Sequence, residues 1–421
     1  MLSYIQKQFF TTLKQAQLLQ LKAFQQKLNS MVAQNLSPLP LEEKKSMQTI
    51  VGNFFADFQE LDIFRSKDLI QTDEKTNTPT NSWVQLNIPI TSNEIVQSTM
   101  FRFDNQIRIG RLLEFLDLFA GYIGYKHCQL DKFAQKLTLV TACVDNVEFY
   151  TDLSTQKDIY LKGYVTYVGR TSIEVKIDIY QPNDKGDEDL VGTSYFLMVA
   201  RNSQDHSKSV EVPKLSFKNE FNQDACLYRE QIGFQNQKAR KLKSQMSFQT
   251  AEPSNQETKL LHQFFINPQN YLQHLPIQNT KIDSIQLMQY QYRNIHMKIF
   301  GGFLMRRLIE IGWICGHLHI KGAESPKMVY LSDIQFHYPV EIGSMVSFKS
   351  HVCYTQNNFM DIKIQAEVLN PKNRSLDQKT TEMHLILECK NNIPPVFPQQ
   401  YDHGIMYLEG KRVLESFLSD L

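Results

Sequence analysis

The same order of secondary-structure patterns occurs twice along this chain. A strand-like run is followed by a long apolar run with helical periodicity and by four more strand-like runs, first within residues 82–205 and again within residues 281–390. In both helical runs the apolar residues lie nearly all round the helix, so other parts of the chain must cover it. A sheet that curls round the helix does this. The sequence therefore predicts an α+β fold with two tandem domains, each an antiparallel sheet wrapped round a central helix, that form an internal pseudo-dimer.

The patterns divide the 421 residues into five segments. The two domains are expected at residues 76–205 and 281–390, with a helical linker at 206–280 between them. A helical extension, residues 1–75, precedes the first domain, and a C-terminal tail, residues 391–421, follows the second. Ser254 and Glu257 have the spacing of a capping box and predict the start of the second linker helix.

The N-terminal segment has the composition of an organelle-targeting sequence. Residues 1–41 contain lysines but no acidic residue, and their apolar residues have helical spacing. A basic amphipathic helix of this kind is used for mitochondrial import, although this segment contains no arginine. We expect a retained helix that addresses the chain to mitochondria and then docks on another surface. An ordinary Gln-rich surface helix is the alternative.

Composition excludes several classes of function. The net charge of +1 creates no global field that would recruit nucleic acid or an anionic membrane. The six cysteines are scattered without a CxxC pair, so we expect buried thiols rather than disulfides or a zinc site. Spanning a bilayer takes about 18 consecutive apolar residues, and no run reaches that length.

A pair of glycines marks the start of the second central helix. Residues 299–305 read IFGGFLM, and glycine at such a turn lets a backbone N–H approach a bound carbonyl group. The positive end of the helix dipole adds to this attraction. Further along, Pro339 and Gly343 bracket a tight turn between two β-rich runs.

Seven segments together carry a family resemblance. They are IRIGRLLEFLD (107–117), YVGRTSIEVK (167–176), MVARNS (198–203), IFGGFLMRR (299–307), SDIQFHYPVEIGS (332–344), YTQNN (354–358) and VFPQQYDHGIMYLEGKR (396–412). With these segments the chain resembles the mitochondrial double-hotdog acyl-CoA thioesterases, specifically the acyl-coenzyme A thioesterase nine group. The resemblance implies two hotdog domains and hydrolysis of fatty acyl-CoA to free fatty acid and CoA. It implies a location in the mitochondrial matrix or on the matrix face of the inner membrane. The CoA moiety belongs to the substrate, so no separate cofactor is expected.

The resemblance also assigns a catalytic acid. In the family an acidic side chain on one central helix activates water, and Asp117 falls at that position. A carboxylate in an apolar helix is costly to bury without a partner or a task. Glu114 is the second candidate, and Glu310 is a weaker candidate in the second repeat. The alternative for Asp117 is a structural role, with its charge balanced by Arg108 or Arg111.

The family's second polar group is replaced in this chain. Where relatives have an Asn shortly before the two glycines, this chain has Met297, whose thioether donates no hydrogen bond. Asn294 and His296 are the candidates to take over its role. Gly301 and Gly302, at the helix N-terminus, are expected to polarise the thioester carbonyl.

A turn in the first domain is a candidate for contact with CoA. Gly169, Arg170 and Thr171 lie between two strand-like runs, where polar groups of a turn can meet phosphates. A polar turn cluster with no ligand is an equally good interpretation.

Other charged groups receive structural interpretations. The paired Arg306 and Arg307 and the basic patch at 238–243 are expected to be solvated helix faces, with contact to CoA as the alternative. Asp145 and Asp333 are expected to satisfy turn backbone. His317 and His319 have no carboxylate or cysteine at ligand spacing, so no metal site is predicted.

Three functions remain open from the sequence. The first is an acyl-CoA hydrolase with a composite site between the two hotdog domains. The second is a degenerate hotdog protein that serves as a structural subunit of a large mitochondrial, respiratory-chain assembly, an alternative that the Met297 substitution motivates. The third is an acyl-CoA binder without turnover. Acyl-CoA is the expected ligand, and the chain is expected to be a homo-oligomer or a subunit of that larger assembly.

Overall fold

The structure is a computed structural model that describes residues 76–128, 137–205, 208–217, 223–246, 252–294 and 297–420. The predicted N-terminal helix with its mitochondrial address lies outside these residues, and so does His296. No helix in the described part is both long enough and apolar enough to cross a bilayer.

The first half of the chain is a five-stranded antiparallel sheet packed on one long helix. This helix, called the first central helix, spans Ile109–His127. The strands follow in chain order as β1 (Thr76–Asn77), β2 (Val84–Ile88), β3 (Leu137–Phe149), β4 (Ile159–Val168), β5 (Ser172–Pro182) and β6 (Glu188–Asn202). Two short helices, Pro79–Ser82 and Glu94–Met100, flank β2. The spatial order in the sheet is β2-β4-β5-β6-β3, and β1 lies outside it.

The linker between the two halves contains one short strand and two helices. Its strand β7 (Lys214–Leu215) pairs with β1 in parallel. Two helices follow, the first linker helix (Gln223–Met246) and the second linker helix (Asn255–Ile266). The second one begins with the predicted capping box, in which Ser254 and Glu257 each bind the other's backbone N–H. This prediction is confirmed.

The second half repeats the same layout. Its helix, called the second central helix, spans Gly301–His319. The strands are β8 (Leu275–Pro276), β9 (Ile282–Leu287), β10 (Lys327–Leu331), β11 (Ile334–Phe336), β12 (Met345–Gln356), β13 (Phe359–Leu369), β14 (Gln378–Glu388) and β15 (Val396–Phe397). Short 3-10 turns are Pro268–Tyr271, Ile277–Thr280, Tyr290–Tyr292 and Arg374–Leu376. The chain ends in the C-terminal helix, Tyr401–Asp420.

The two sheets join into one. Strand β3 pairs antiparallel with β11, where Val144 lies opposite Ile334, and β11 pairs in turn with β14. The second half then runs β14-β13-β12-β9, with β9 at the outer edge as β2 is in the first half. The α+β tandem hotdog fold and its internal pseudo-dimer are therefore confirmed. The predicted domain limits stay predictions, because the sheet is continuous across them.

Close helix–sheet packing explains the small residues of the central helices. A Cβ atom at Gly124 would lie 2.8 Å from Leu139, so a larger residue would push the first central helix off the sheet. Around it, Leu112, Leu116 and Ile123 are fully buried. The all-round apolar pattern predicted this burial.

The second central helix is less enclosed than its pattern predicted. Ile314 is 44% exposed and Leu318 is 56% exposed. They lie four residues apart and therefore on one side of the helix. One side of the helix faces the sheet. Within the described part of the chain, the side that carries Ile314 and Leu318 is exposed to solvent.

Each half also has an outer helix, which the sequence did not show as part of the repeat. The first linker helix lies on β4, and the C-terminal helix lies on β12 and β13. Both approach the sheet at a glycine: a Cβ at Gly233 would be 2.3 Å from Tyr167, and one at Gly410 would be 2.5 Å from Asp361. The linker and the tail therefore have equivalent structural roles.

Two predicted strands are shorter than expected. The run 284–293 is strand only to Leu287. Met288 still exchanges hydrogen bonds with Gly343 and Ser344 before β12, and the 3-10 turn Tyr290–Tyr292 then ends the extended run. The run around Asp333 is split into β10 and β11.

Candidate active site

The carboxylate of Asp117 lies between the two halves of the molecule. Its Oδ2 accepts a hydrogen bond of 2.7 Å from the Gly302 backbone N–H, and its Oδ1 accepts one of 2.6 Å from the Thr141 hydroxyl. Asp117 is on the first central helix, Thr141 on β3, and Gly302 in the first turn of the second central helix. The alternative that Arg108 or Arg111 balances Asp117 is wrong, because these arginines form ion pairs with Glu310 and Glu114.

Thr141 was missed in the sequence. The only signal was a hydroxyl residue on the helix-facing side of an apolar strand, and such residues are common in strands that have no catalytic role. Only the fold brings this strand to the ninth residue of the helix.

Burial raises the pKa of the Asp117 carboxyl group toward neutral pH. Desolvation raises its pKa from 3.8 to about 6, and the hydrogen bonds from Thr141 and Gly302 oppose this increase. The nearby charge of Glu114 adds a smaller increase. A carboxyl group with a pKa near 6 is largely ionised at neutral pH and is also a stronger base than an ordinary carboxylate, as a general base requires.

The two glycines let the helix N-terminus approach Asp117 closely. A Cβ at Gly301 would lie 3.1 Å from Asp117 Oδ2, and a Cβ at Gly302 would lie 2.9 Å from the Glu114 backbone. The N-cap residue, Phe300, makes no capping bond with its own side chain. The Gly301 N–H, the first donor of the helix, has no hydrogen-bond partner among the described residues. It is therefore available to an oxygen atom of a ligand.

A cavity of about 730 Å³ opens beside these groups. Both halves line it: Asp117, Thr141 and Met198 come from the first, and Asn294 and Gly301 from the second. Several lining residues are basic or aromatic, namely Arg201, Arg293, Lys298, Phe300, Phe336, His337 and Tyr338. A substrate held here would contact both halves at once, as the sequence predicted for a composite site.

Asn294 lines the cavity, whereas Met297 does not. The Asn294 Oδ1 accepts from the Lys298 N–H at 3.1 Å, which fixes the orientation of the amide. Met297 is 50% exposed and has a positive φ of 60°. Its thioether therefore does not fill the space beside Asp117. The role predicted for His296 stays a prediction, because that residue is outside the described part.

The other two candidate acids have structural partners. Glu114 is buried and forms ion pairs with Arg111 and, at 3.2 Å, with Arg306. Glu310 pairs with Arg108 of the first half and with Arg307 at 3.1 Å. Neither carboxylate lines the cavity.

These ion pairs also correct the interpretation of the paired arginines. Arg306 is not a solvated helix residue, since its guanidinium lies over the Phe303 ring at 5.3 Å in addition to pairing with Glu114. Arg307 remains partly exposed.

The pseudo-symmetric counterpart of the site lacks an acid. Both central helices have 19 residues, and Asp117 is the ninth of the first. The ninth residue of the second is Ile309, which is buried. At the start of the first helix, a Cβ at Gly110 would lie 3.1 Å from the Arg306 backbone. The described residues therefore form this carboxylate–helix arrangement once.

The turn that was predicted to meet CoA does not line this cavity. Gly169, Arg170 and Thr171 connect β4 to β5, and the Ala200 N–H donates to the Thr171 carbonyl at 2.8 Å. Arg170 is exposed. Contact of these three residues with CoA stays a prediction.

The basic patch of the linker is partly internal. Arg240 forms ion pairs with Asp145 and, at 2.8 Å, with Glu174, both of which are buried. The prediction of a solvated patch is therefore wrong for Arg240, and the prediction that Asp145 satisfies turn backbone is also wrong. Lys238 is exposed and lies over the Phe234 ring at 4.4 Å. The remaining lysines of the patch have side chains outside the described part.

Histidines and cysteines form no metal cluster in the described residues. His317 and His319 each bind a backbone carbonyl, of Glu324 and Pro394 respectively. Five cysteines are buried free thiols, as expected: Cys128, Cys143, Cys315, Cys353 and Cys389.

Comparisons with known proteins identify the family of this chain. The model of the thioesterase superfamily matches residues 109–187. The human protein named acyl-coenzyme A thioesterase 9, mitochondrial, is 31% identical over 80% of this chain and 77% of the relative. A Humulus lupulus protein named acyl-coenzyme A thioesterase 2, chloroplastic, is 29% identical over 74% of this chain and 73% of its own length. A solved acyl-ACP thioesterase from Bacteroides thetaiotaomicron is 10% identical and covers 74% of this chain and 100% of that one, with a TM-score of 0.45. The chain belongs to the family of acyl-coenzyme A thioesterase 9.

Proposed function

We propose that this protein hydrolyses fatty acyl-CoA thioesters to free fatty acid and CoA, with Asp117 as the general base. The observation that carries the proposal is the Asp117 carboxylate, held at the N-terminus of the second central helix on the wall of a cavity shared by both halves. A base and a positively polarised helix terminus are the two elements that thioester hydrolysis needs.

The chemistry follows from these positions. Asp117 accepts a proton from a bound water, and the water oxygen attacks the thioester carbonyl carbon. The Gly302 N–H already binds Asp117, so the Gly301 N–H is the donor for the negative charge that develops on the carbonyl oxygen. The C–S bond then breaks, and the CoA thiolate takes the proton from the Asp117 carboxyl group. Asn294 contributes by orienting the reacting groups.

Basic residues of the cavity wall suit the phosphates of CoA. Arg201 and Arg293 line the cavity from opposite halves, and Arg guanidinium groups bind phosphate with bidentate geometry. Lys298, also in the wall, pairs with Glu341. These arginines are better placed for the nucleotide than the predicted turn at Gly169.

The two other functions receive less support. A structural subunit was motivated by Met297, which does not block the cavity, and no observation supports a larger mitochondrial assembly. Binding without turnover would need the reacting groups to be missing, whereas a base and a helix donor are both present.

The mitochondrial location is proposed for this chain from its relatives and its N-terminal sequence. Relatives are named mitochondrial, and residues 1–41 form the basic amphipathic pattern of an import signal. A matrix location is the finer proposal. A fluorescent fusion that lacks residues 1–41 should then fail to enter mitochondria, while the fusion of the full chain should enter them.

A homo-oligomer is proposed on the exposed side of the second central helix. Ile314 and Leu318 would be covered by a second copy, which would remove apolar surface from water. Sedimentation of the full chain should then give a mass above 49.1 kDa.

Release of CoA thiol from acyl-CoA by the purified chain tests the main proposal. Wild type should release thiol well above background, and Asp117→Asn should not. Equal background rates for both proteins would refute it.

A further inference from the structure

The cavity continues from Asp117 along one side of the first central helix. The helix residues that line it are Asp117, Leu118, Gly121 and Tyr125. At 100° per residue they fall within one stripe of the helix surface. Across from the stripe, Leu139 of β3 and Met198 of β6 form an apolar wall. This part of the cavity is therefore a lipophilic passage that begins at the reacting carboxylate.

The passage is open at Gly121. The only atom within 4 Å of a Cβ built there, outside its own helix and among the described residues, is Met198 Cε at 3.9 Å. Glycine is an unfavourable helix residue, and here it leaves space that a long side chain would occupy.

The passage narrows less than one turn further on and ends at Tyr125. A Cβ at Gly124 would lie 2.8 Å from Leu139 and 3.3 Å from the Met198 sulfur atom, so no space remains between helix and sheet there. Tyr125 is the lining helix residue farthest from Asp117, and its hydroxyl accepts a hydrogen bond of 3.0 Å from the Leu139 N–H. This bond fixes the ring at the end of the passage.

We propose that this passage is the acyl-chain channel and that Gly121, Met198 and Tyr125 limit the substrate to medium-chain acyl groups. The proposal rests on the hydrolase function above. From Asp117 to Tyr125, the last helix residue that lines the cavity, the helix rises by about 12 Å, at about 1.5 Å per residue. An extended alkyl chain with C–C bonds of about 1.5 Å advances roughly 1.3 Å per carbon, so the channel holds about nine carbons. A palmitoyl chain is too long for it.

Chain-length profiles of wild type and two variants test this channel. Wild type should show its highest kcat/KM between hexanoyl-CoA and decanoyl-CoA and a much lower value for palmitoyl-CoA. Gly121→Leu fills the channel one turn beyond the carboxylate, so the octanoyl rate should fall by about tenfold or more while the butyryl rate is retained. Gly121→Ala is the matched control: its Cβ makes only ordinary contact with Met198, so its profile should stay close to wild type. Thermal unfolding of each variant verifies that it is folded.

Binding separates this inference from the proposed reaction. Titration calorimetry with the unreactive thioethers S-butyl-CoA, S-octyl-CoA and S-hexadecyl-CoA should give the tightest binding for S-octyl-CoA in wild type and the loss of that preference in Gly121→Leu. If this pattern appears without hydrolysis of any acyl-CoA, the channel stands and the hydrolase function falls. If hydrolysis occurs but wild type prefers palmitoyl-CoA, or Gly121→Leu lowers all chain lengths by one factor, the channel is wrong and the hydrolase stands. Absence of both binding and hydrolysis overturns both.

Discussion

The Asp117 carboxylate accepts a hydrogen bond from the Gly302 backbone N–H, which lies 185 residues later in the chain. The first half of the molecule supplies the acid, and the second half supplies the helix terminus that holds it. Neither half alone contains the pair, and the pseudo-symmetric position has Ile309 in place of an acid. In the described part of the chain, the repeated fold therefore has this carboxylate–helix arrangement in only one of its two equivalent positions. We expect one reacting site per chain.

Asp117→Asn is expected to abolish hydrolysis and to stabilise the protein at neutral pH. Removing a general base lowers kcat by about 10²–10⁴-fold. The pKa of Asp117 is raised from 3.8 to about 6, so its contribution to stability is complete below pH 4 and is lost as pH rises through 6. A pKa shift of this size corresponds to a loss of about 1–3 kcal/mol of folding stability when the buried carboxyl group ionises. The amide variant does not ionise and therefore keeps this stability.

Thiol release and urea unfolding at pH 4 and pH 7.5 measure both effects. The variant should exceed wild type in stability at pH 7.5 only. A variant that is less stable than wild type at pH 7.5 would contradict the account of Asp117 as a buried, desolvated acid.

The pH dependence of kcat/KM should report Asp117 and its partner Thr141. Activity should rise with pH through an apparent pKa of about 6, because only the ionised carboxylate accepts a proton from water. The hydrogen bond from Thr141 lowers this pKa, so Thr141→Val should move the midpoint to higher pH. Thr141→Ser keeps the hydroxyl and should keep the midpoint. Identical profiles for the Val and Ser variants would show that the hydroxyl does not tune the acid.

The two adjacent glycines should respond differently to alanine. At Gly301 the new Cβ would lie 3.1 Å from Asp117 Oδ2 and would intrude on the cavity, so Gly301→Ala should lower kcat by roughly 10- to 100-fold in a folded protein. At Gly302 the Cβ would lie 2.9 Å from the Glu114 backbone, so Gly302→Ala should separate the central helices and cost about 1–3 kcal/mol of stability. Steady-state kinetics and chemical unfolding of both variants separate the two effects. The prediction fails if Gly301→Ala is the variant that unfolds.

Periodicity predicted the sheet that covers each central helix, because a helix that is apolar nearly all round needs other parts of the chain to cover most of its surface. The family resemblance placed Asp117 at the position of the acid, and the paired glycines predicted that the second central helix begins at Gly301. Contacts between distant segments were not predictable. Thr141 reaches Asp117 only because β3 crosses the helix at that level, and no local pattern encodes this crossing.

The charged residues were interpreted least well from the sequence. Glu114, Glu310 and Arg306 were considered as single residues of a helix, whereas their partners come from the opposite half or a neighbouring turn. The sequence pattern around a charged residue is the same whether its side chain points to solvent or to a buried partner. Only the packing of the two central helices distinguishes these cases.

The linker arginine Arg240 offers a test of internal pairing against contact with CoA. Arg240→Ala would leave Asp145 and Glu174 buried without their cation, which typically costs about 3–5 kcal/mol. The KM for acyl-CoA should not change, because Arg240 does not line the cavity. Lys238→Ala, on the exposed side of the same helix, is the control and should change stability by less than about 0.5 kcal/mol. Urea unfolding and initial rates at varied acyl-CoA concentration measure both properties. A higher KM with unchanged stability in Arg240→Ala would show instead that the linker contacts the coenzyme.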